Sequence, residues 1–534
     1  MSSNYARGMY KQLSEQIELS ERLQAENKAL RIENRTLKEE VSSLRTKITE
    51  MEANMAEKIS YCVAEAVRLA TEPLMAELNK AHTEISRLKS IINKDSSNSS
   101  KPSSSNGFKV IPNSRERSGK PQGGQKGHKG HRLALPEDVE ELEKQGVLER
   151  RLADHTNGSS EYESKYVIDV ETKVIITEHR FLKGTIPSDL YNEVSYGNGI
   201  KAQVILLMNE GIIAHKRLSN IICGMTSQIV HLSTGTMSGF QNDFAGRLTE
   251  LGELQAIKQD LLNGEVLNTD DTSMRVLERI VYPENDANNK VIRYERTEKK
   301  SLRATIRTHS NEKSTYYTVN PKKDQKGIER DGILPEYVGI LCHDHESKFF
   351  HYGKANAVCG SHLTRDLKGL SDSYNCPWAA VMRKFVLAMN DHKNNDVKAG
   401  MVSCASQQLE SFEAEYDQLV SQGRKALALM NEKSWGYDEF NAMLNRLANS
   451  KDSYMLFIHN YRVPFTNNLA ERDLRMEKTK EKVSGLFRSW DGIVTHSKVR
   501  SFMSTAKKRG KDLFTSCKQV MEKIPVLTSK SGFP

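Results

Sequence analysis

Between Asp95 and Arg132 the chain reads DSSNSSKPSSSNGFKVIPNSRERSGKPQGGQKGHKGHR, a stretch so crowded with Ser, Gly and Pro that it can bury no core. It therefore divides the 534 residues into an N-terminal part and a much longer C-terminal part that must fold separately. From Lys101 to Arg132 this linker carries eight Lys or Arg residues against one acid, Glu116. A flexible cationic strip of this kind suits phosphate contacts through counterion release, with Lys120, Lys126, Lys129 and Arg132 the candidates, although a merely solvated linker has the same composition. Before the linker, Leu23, Leu30, Leu37, Leu44 and Met51 fall at d of a heptad whose a positions include Leu13, Asn27, Asn34, Val41, Ile48 and Met55. The repeat predicts a coiled coil, and the two a-position asparagines favour a parallel dimer in fixed register. After Pro73 a second apolar series, Leu74, Leu78, Ala81, Ile85, Leu88 and Ile92, fits either a continued zipper or an antiparallel hairpin.

The remainder has enough apolar residues to build cores, 37% of the whole chain being hydrophobic. No apolar run is long enough to span a bilayer, and the N-terminus has no secretory pattern, so a cytoplasmic protein without a membrane partner is expected. Seven cysteines with no CxxC pair suggest neither a disulfide framework nor a zinc ribbon. Alternation at Lys165–Asp169 and Thr172–Thr177 predicts a small β-rich module over 133–195. From 196 to 264 the period is helical, and Leu232-Ser233-x-x-Thr236 reads as a turn and N-cap; a helix-turn-helix and ordinary core helices fit this equally well. Strands are predicted at Glu265–Asp270, Lys290–Arg296, Arg303–Thr308, Tyr316–Asn320, Gly339–Asp344 and Asn356–Cys359, with a helix from His362, which together indicate an α/β domain. Apolar residues at helical spacing, such as Leu409, Phe412, Tyr416 and Leu419, or Phe440, Met443, Leu444 and Leu447, make 377–462 an all-helical insertion. Helices return at Asn467–Arg475 and around Val499–Ala506, the latter closed by Gly510.

Three acids stand out by context. Asp270 in NTDDTSMRV and Asp344 in GILCHDHESKF each close a short apolar strand, which places a carboxylate at a sheet edge with buried backbone behind it. Glu471 in NNLAERDLRMEK shares a helix face with Asn468 and Arg475. A few carboxylates on rigid elements suffice for two-metal phosphoryl transfer, with Mg²⁺ preferring such oxygen ligands. Acids in these contexts are also ordinary caps and ion-pair partners, so spacing alone leaves both readings open.

Whole motifs are more specific. NTDDTSMRV, CHDHESKF, VCGSHLTRDLKGL and NNLAERDLRMEK, followed by SGLFRSWDG, resemble in order the catalytic segments of insertion-sequence-66 transposases, and NSSKPSSSNG with SGKPQGGQKGHKGHR resembles the linker that follows the leucine zipper there. The resemblance spans about 20–515 and implies an RNase H-like core in two parts, 265–376 and 463–534, split by the helical insertion and preceded by a coiled coil over 1–94 and a linker over 95–132. It further implies a DDE catalytic site of Asp270, Asp344 and Glu471 holding two Mg²⁺ ions, with Mn²⁺ as a substitute. The partners it implies are transposon-end and target DNA, a second copy of the chain, and accessory proteins of the same element. Arg472 and Arg475, beside Glu471, are candidates for contacting the cut strand, while His343, His345 and His362 lie near the acids in sequence. The cysteine pairs of the family's zinc module are absent from RLADHTNGSSEYESKYVIDV, which argues against zinc; Asp271 stands where a glutamate is usual, and Thr466 where an aspartate often precedes the asparagines. Cys359 and His362 have the spacing of half a metal site without an apparent second half. The competing reading is a dimeric DNA-binding protein derived from a transposase and catalytically inactive. Since adjacent strand residues face opposite ways, Asp271→Asn is expected to be a mild control for Asp270→Asn.

Overall fold

The computed structural model describes 134–281, 293–297 and 301–528, apart from 158–159, 187–191 and 433, together with part of a helix between 67 and 92. The heptad run and the cationic linker lie outside the described residues. Of the second apolar series, Leu74, Ile85, Leu88 and Ile92 are helical and exposed. The chain divides into two units, the smaller comprising 112–193 and 219–232. The β-rich module expected over 133–195 does not form: among the described residues there is one short helix, α1 (Val139–Lys144), and the alternating stretches Lys165–Asp169 and Thr172–Thr177 have no strand partner. A single strand cannot satisfy its own backbone, so alternation without a partner leaves these side chains exposed. Arg151 holds Glu171 through two bonds of 2.7 and 2.8 Å across this segment.

The helical period expected over 196–264 is taken up by α2 (Asn198–Asn209), α3 (His215–Met225), α4 (Thr234–Glu250) and α5 (Glu253–Leu262). Ser233 caps α4, its hydroxyl accepting the Thr236 N–H at 3.0 Å. The buried face of α4, including Phe244 and Leu248, packs with Ile257 and Leu261 of α5 and with Phe502 near the C-terminus, so α4 and α5 are core-forming.

Among the described residues seven strands follow: β1 (Val266–Val276), β2 (Glu278–Val281), β3 (Arg293–Arg296), β4 (Leu302–Ser310), β5 (Thr315–Asn320), β6 (Ile340–His343) and β7 (Ala355–Val358), with α6 (Gln325–Asp331) between β5 and β6. β2 and β3 form a separate hairpin. The main sheet has the order β5-β4-β1-β6-β7, antiparallel from β5 to β1 and parallel from β1 to β7. β1 is longer than its sequence suggests, since Asp270 lies within it rather than at its end. β6 pairs with β1 only from Val266↔Ile340 to Asn268↔Cys342, after which β1 continues on β4 alone. Beyond Asn268 the sheet therefore splits on the β6 side.

Helix α7 (Gly360–Tyr374) leads into the insertion, α8 (Pro377–Lys398), α9 (Ser406–Ala428), α10 (Tyr437–Asn449) and α11 (Lys451–His459). Their predicted apolar stripes, among them Phe412, Tyr416, Leu419, Met443 and Leu447, share one core with Ile340, Cys342 and Val358 of the sheet. The chain then returns as α12 (Asn468–Ser484), α13 (Trp490–Lys508) and α14 (Leu513–Met521). After α12 the chain turns at Gly485, whose φ of +80° favours glycine, and Phe487 of the SGLFRSWDG segment bonds the end of β1: its N–H donates to Arg275 O at 3.0 Å and its carbonyl accepts from Leu277 N at 2.9 Å. α13 ends ahead of Gly510 at φ +66°. No helix among the described residues is long and apolar enough to cross a membrane.

Candidate active site

The split in the sheet positions two of the acids. Continuing the register beyond Asn268↔Cys342 sets Asp270 across from Asp344, which follows β6 directly. Glu471 arrives on the first turn of α12, and one residue the sequence reading passed over docks that helix. Asn467, buried at the α12 N-cap position, donates from Nδ2 to Thr269 O at 2.7 Å and accepts from Asn268 Nδ2 at 3.0 Å, while its N–H meets Cys359 Sγ at 3.2 Å. Three bonds thus tie the start of α12 to the strand carrying Asp270 and to the loop after β7, each contributing about 1 kcal/mol and costing more if one partner is left buried and unpaired. The approach is close enough to require glycine at 360, where a Cβ would stand 2.2 Å from the Phe465 ring. The legible signal was the Asn-Asn doublet ahead of the apolar period.

The acids repel one another. Burial, then Asp344, push the Asp270 carboxyl up to about 7, with Asp271 and Glu471 adding to the rise. The Asp271 N–H, at 2.8 Å, acts against the rise. Burial and then Glu346 raise Asp344 as well, against the Glu346 N–H, His362 and Lys323, which lower it. A cluster of oxygen donors that resists carrying its own negative charge suits a divalent cation, which would supply the missing countercharge.

Asp271 is different. Its side chain is 1% exposed, on the face where β4 sets Arg307 directly opposite. Arg307 Nη2 lies 3.3 Å from it, and Lys323 and Lys348 Nζ each 2.7 Å. Burial pushes this carboxyl up, yet the three cations outweigh it and hold it below the usual range. Arg307 also grips Asp331 of α6, so the network pins that helix under the sheet. Asp271→Asn is therefore expected to cost stability, because the substitution removes a countercharge that three cations share.

Of the histidines, only His362 reaches the acids, its Nδ1 3.7 Å from Glu471 Oε1 and otherwise without a hydrogen-bond partner. Cys359 Sγ lies 3.9 Å from the same oxygen, so Glu471 completes the half-site that the Cys-x-x-His spacing suggested. Burial first of all pushes the Cys359 thiol up to about 11, making it a poor ligand until a metal displaces its proton. His343 meets the Asp344 carbonyl through Nδ1 and not its carboxylate: it is buried, bonds Asn356 Oδ1 through Nε2 at 3.1 Å, packs on Phe350, and is driven down to about 4 mainly by burial. His345 stacks on Tyr454 with ring centres 5.9 Å apart. Both are structural.

Arg472 and Arg475 are exposed and line a cleft of about 970 Å³ together with Asn268, Lys313, Arg462 and Thr466. This cleft adjoins the acid cluster through Asn268, which bonds Asn467. Lys120, Lys126, Lys129 and Arg132 lie outside the described residues.

An uncharacterized protein, y4jO, of Sinorhizobium fredii (strain NBRC 101917 / NGR234) is 34% identical over 92 residues, which cover 17% of this chain and 29% of that protein's length. No solved structure matches the chain. A family of unknown function (DUF6444) matches 12–134, the heptad region and linker. The model of the IS66 transposase family matches 193–495, more than half of the chain, and takes in both strand acids, the insertion and the glutamate helix. The chain belongs to the IS66 family of transposases.

Proposed function

We propose that this transposase is a DDE enzyme that cleaves DNA at the ends of an insertion sequence and joins the freed ends to target DNA, with Asp270, Asp344 and Glu471 as the metal-holding carboxylates. The observation that carries the reading is the Asp270 carboxyl, which burial, Asp344 and Glu471 together raise to about 7. The mixed sheet, three antiparallel strands extended by two parallel ones and followed after the insertion by the glutamate helix, supports an RNase H-like core. Mg²⁺ is the expected ion and Mn²⁺ a substitute, since all three ligands are carboxylates; such a pair lowers the pKa of a bound water and neutralises charge on the attacking and leaving oxygens.

The residues of the chain divide the remaining work. Asp270, within β1, and Asp344, directly after β6, would fix the place of the reacting phosphate, and Asn467 would set Glu471 beside them. Arg472 and Arg475 would hold phosphates of the strand in the adjoining cleft. In the first step water attacks the phosphodiester and the 3′-oxygen leaves; in the second, that 3′-hydroxyl attacks a target phosphodiester and displaces its 3′-oxygen. Both are in-line displacements and neither requires a covalent bond to the protein. The heptads would pair two copies of the chain, and Lys120, Lys126, Lys129 and Arg132 would add salt-sensitive affinity for any duplex.

The test is nicking of labelled end DNA in Mg²⁺ or Mn²⁺ beside a gel-shift measurement. Asp344→Asn and Glu471→Gln should bind end DNA but not cut it. Undiminished cutting by either variant contradicts the site, and end binding without any cutting by the unaltered chain favours the inactive dimeric relative.

A further inference from the structure

A second donor cluster lies in the helical insertion and shares no residue with the acids above. His392 and Asp396 stand one turn apart on α8, so both side chains leave the same helix face. Cys404 comes from the connection between α8 and α9, and ligand atoms of all three lie within 4.8 Å of one another. A single atom, His392 Nε2, is the common apex: it is 3.2 Å from Asp396 Oδ2 and 3.8 Å from Cys404 Sγ. For a tetrahedral zinc ion with ordinary bond lengths, the N–O and N–S edges are about 3.3 and about 3.6 Å. The donors are therefore already spaced as ligands of one ion, with the fourth position left for water.

The surroundings agree with that reading. Tyr461, at the exit of the insertion, donates its hydroxyl to Asp396 Oδ2 at 2.5 Å, the kind of outer hydrogen bond that orients a ligating carboxylate. The Phe412 ring packs edge-on against the His392 imidazole, with centres 5.3 Å apart, and restrains its rotation. Lys393, the neighbouring cation, is turned away toward the Val463 carbonyl. A histidine and carboxylate one turn apart are usually just an ion pair. Here a thiol from another segment converges on the same nitrogen, which an ion pair does not need.

We propose that His392, Asp396 and Cys404 form a binding site for a thiophilic divalent ion, zinc by class, that ties the end of α8 to the following connection. Thiolate and imidazole select such an ion over Mg²⁺. Binding replaces the Cys404 proton with the metal, and that proton passes to solvent. The absence of paired cysteines argued against zinc in the linear sequence; this donor set escapes that criterion because two ligands come from helix spacing and one from a loop.

Cobalt(II) titration of the full chain tests the site without reference to DNA cleavage. One equivalent should produce a near-ultraviolet thiolate-to-cobalt charge-transfer band. Cys404→Ser and His392→Ala should abolish it, Tyr461→Phe should weaken cobalt binding by on the order of 10–100-fold, and Cys359→Ser should leave the band in place. No band in the unaltered chain, or a band lost with Cys359→Ser and kept by Cys404→Ser, overturns the proposal. Because a variant can fail to fold, the unaltered chain supplies a second reading: zinc should protect Cys404 from alkylation, with a chelator restoring reactivity. Equal alkylation with and without zinc overturns the site on its own.

Discussion

Asp270 and Asp271 are consecutive residues of one strand and occupy opposite electrostatic worlds. On the face of Asp271, Arg307, Lys323 and Lys348 converge on a single carboxylate and hold it ionised inside the fold. On the face of Asp270 the neighbours are acids, and its carboxyl is raised to about 7. The first arrangement finds its countercharge within the chain, whereas at Asp270 the neighbouring acids add to the cost of ionisation. An acidic residue is thus identified as structural or as metal-holding less by its own burial than by the sign of what surrounds it.

The largest expected effect is on stability at Asp271. Breaking a buried ion network by removing one partner costs about 3–5 kcal/mol, so Asp271→Asn should lower the urea midpoint strongly, and a midpoint equal to that of the unaltered chain would dissolve the contrast. Asp270→Asn should behave in the opposite sense. A carboxyl raised in the fold is destabilising once ionised, an effect that begins above the ordinary carboxylate range and is complete above about pH 7. At pH 8 in chelator its amide variant should therefore melt no lower than the unaltered chain.

An intermediate effect is expected at Asn467, which serves the Asp270 side without carrying charge. Asn467→Ala leaves the Asn268 amide and the Thr269 carbonyl without their partner, a loss of about 1–3 kcal/mol. It should also reduce end cleavage more than end binding, because Glu471 loses its register. An equal fall in both would mean that Asn467 only supports the fold.

The smallest effect concerns protons. Below about pH 7 the acid cluster retains a proton on Asp270, so a divalent cation must displace it, whereas at pH 8.5 it need not. Calorimetric titration of Mn²⁺ in two buffers of different ionisation enthalpy should give release of about one proton at pH 6 and close to none at pH 8.5. Release that does not change between these pH values would show that Asp270 is not the group being titrated.

Much of this architecture is legible in the linear chain because apolar period is a local property. The stripes Phe412–Tyr416–Leu419 and Met443–Leu444–Leu447 are buried as their spacing predicts, and β4 and β5 fall within two residues of expectation. What escaped is whatever depends on a partner distant in sequence. Asp270 looks like a strand end because the apolar run stops there, yet β1 continues on β4 after β6 has left it. The alternation at Thr172–Thr177 is equally clear and forms no strand, since nothing pairs with it. Asp271 passes for a neutral bystander until the fold delivers Arg307 from β4, Lys323 from a loop and Lys348 from a short 3-10 helix. Cys359 and His362 appear as half of a site because its third donor, Glu471, lies beyond the whole insertion.

The contrast between the two aspartates reduces to one measurement, Mn²⁺ binding to purified Asp270→Asn and Asp271→Asn followed by electron paramagnetic resonance under conditions where both are folded. The account predicts that Asp270→Asn loses tight Mn²⁺ binding while Asp271→Asn, though less stable, keeps it. Full Mn²⁺ affinity in Asp270→Asn, or its loss in Asp271→Asn alone, would place the metal on the other face of the strand and contradict the account.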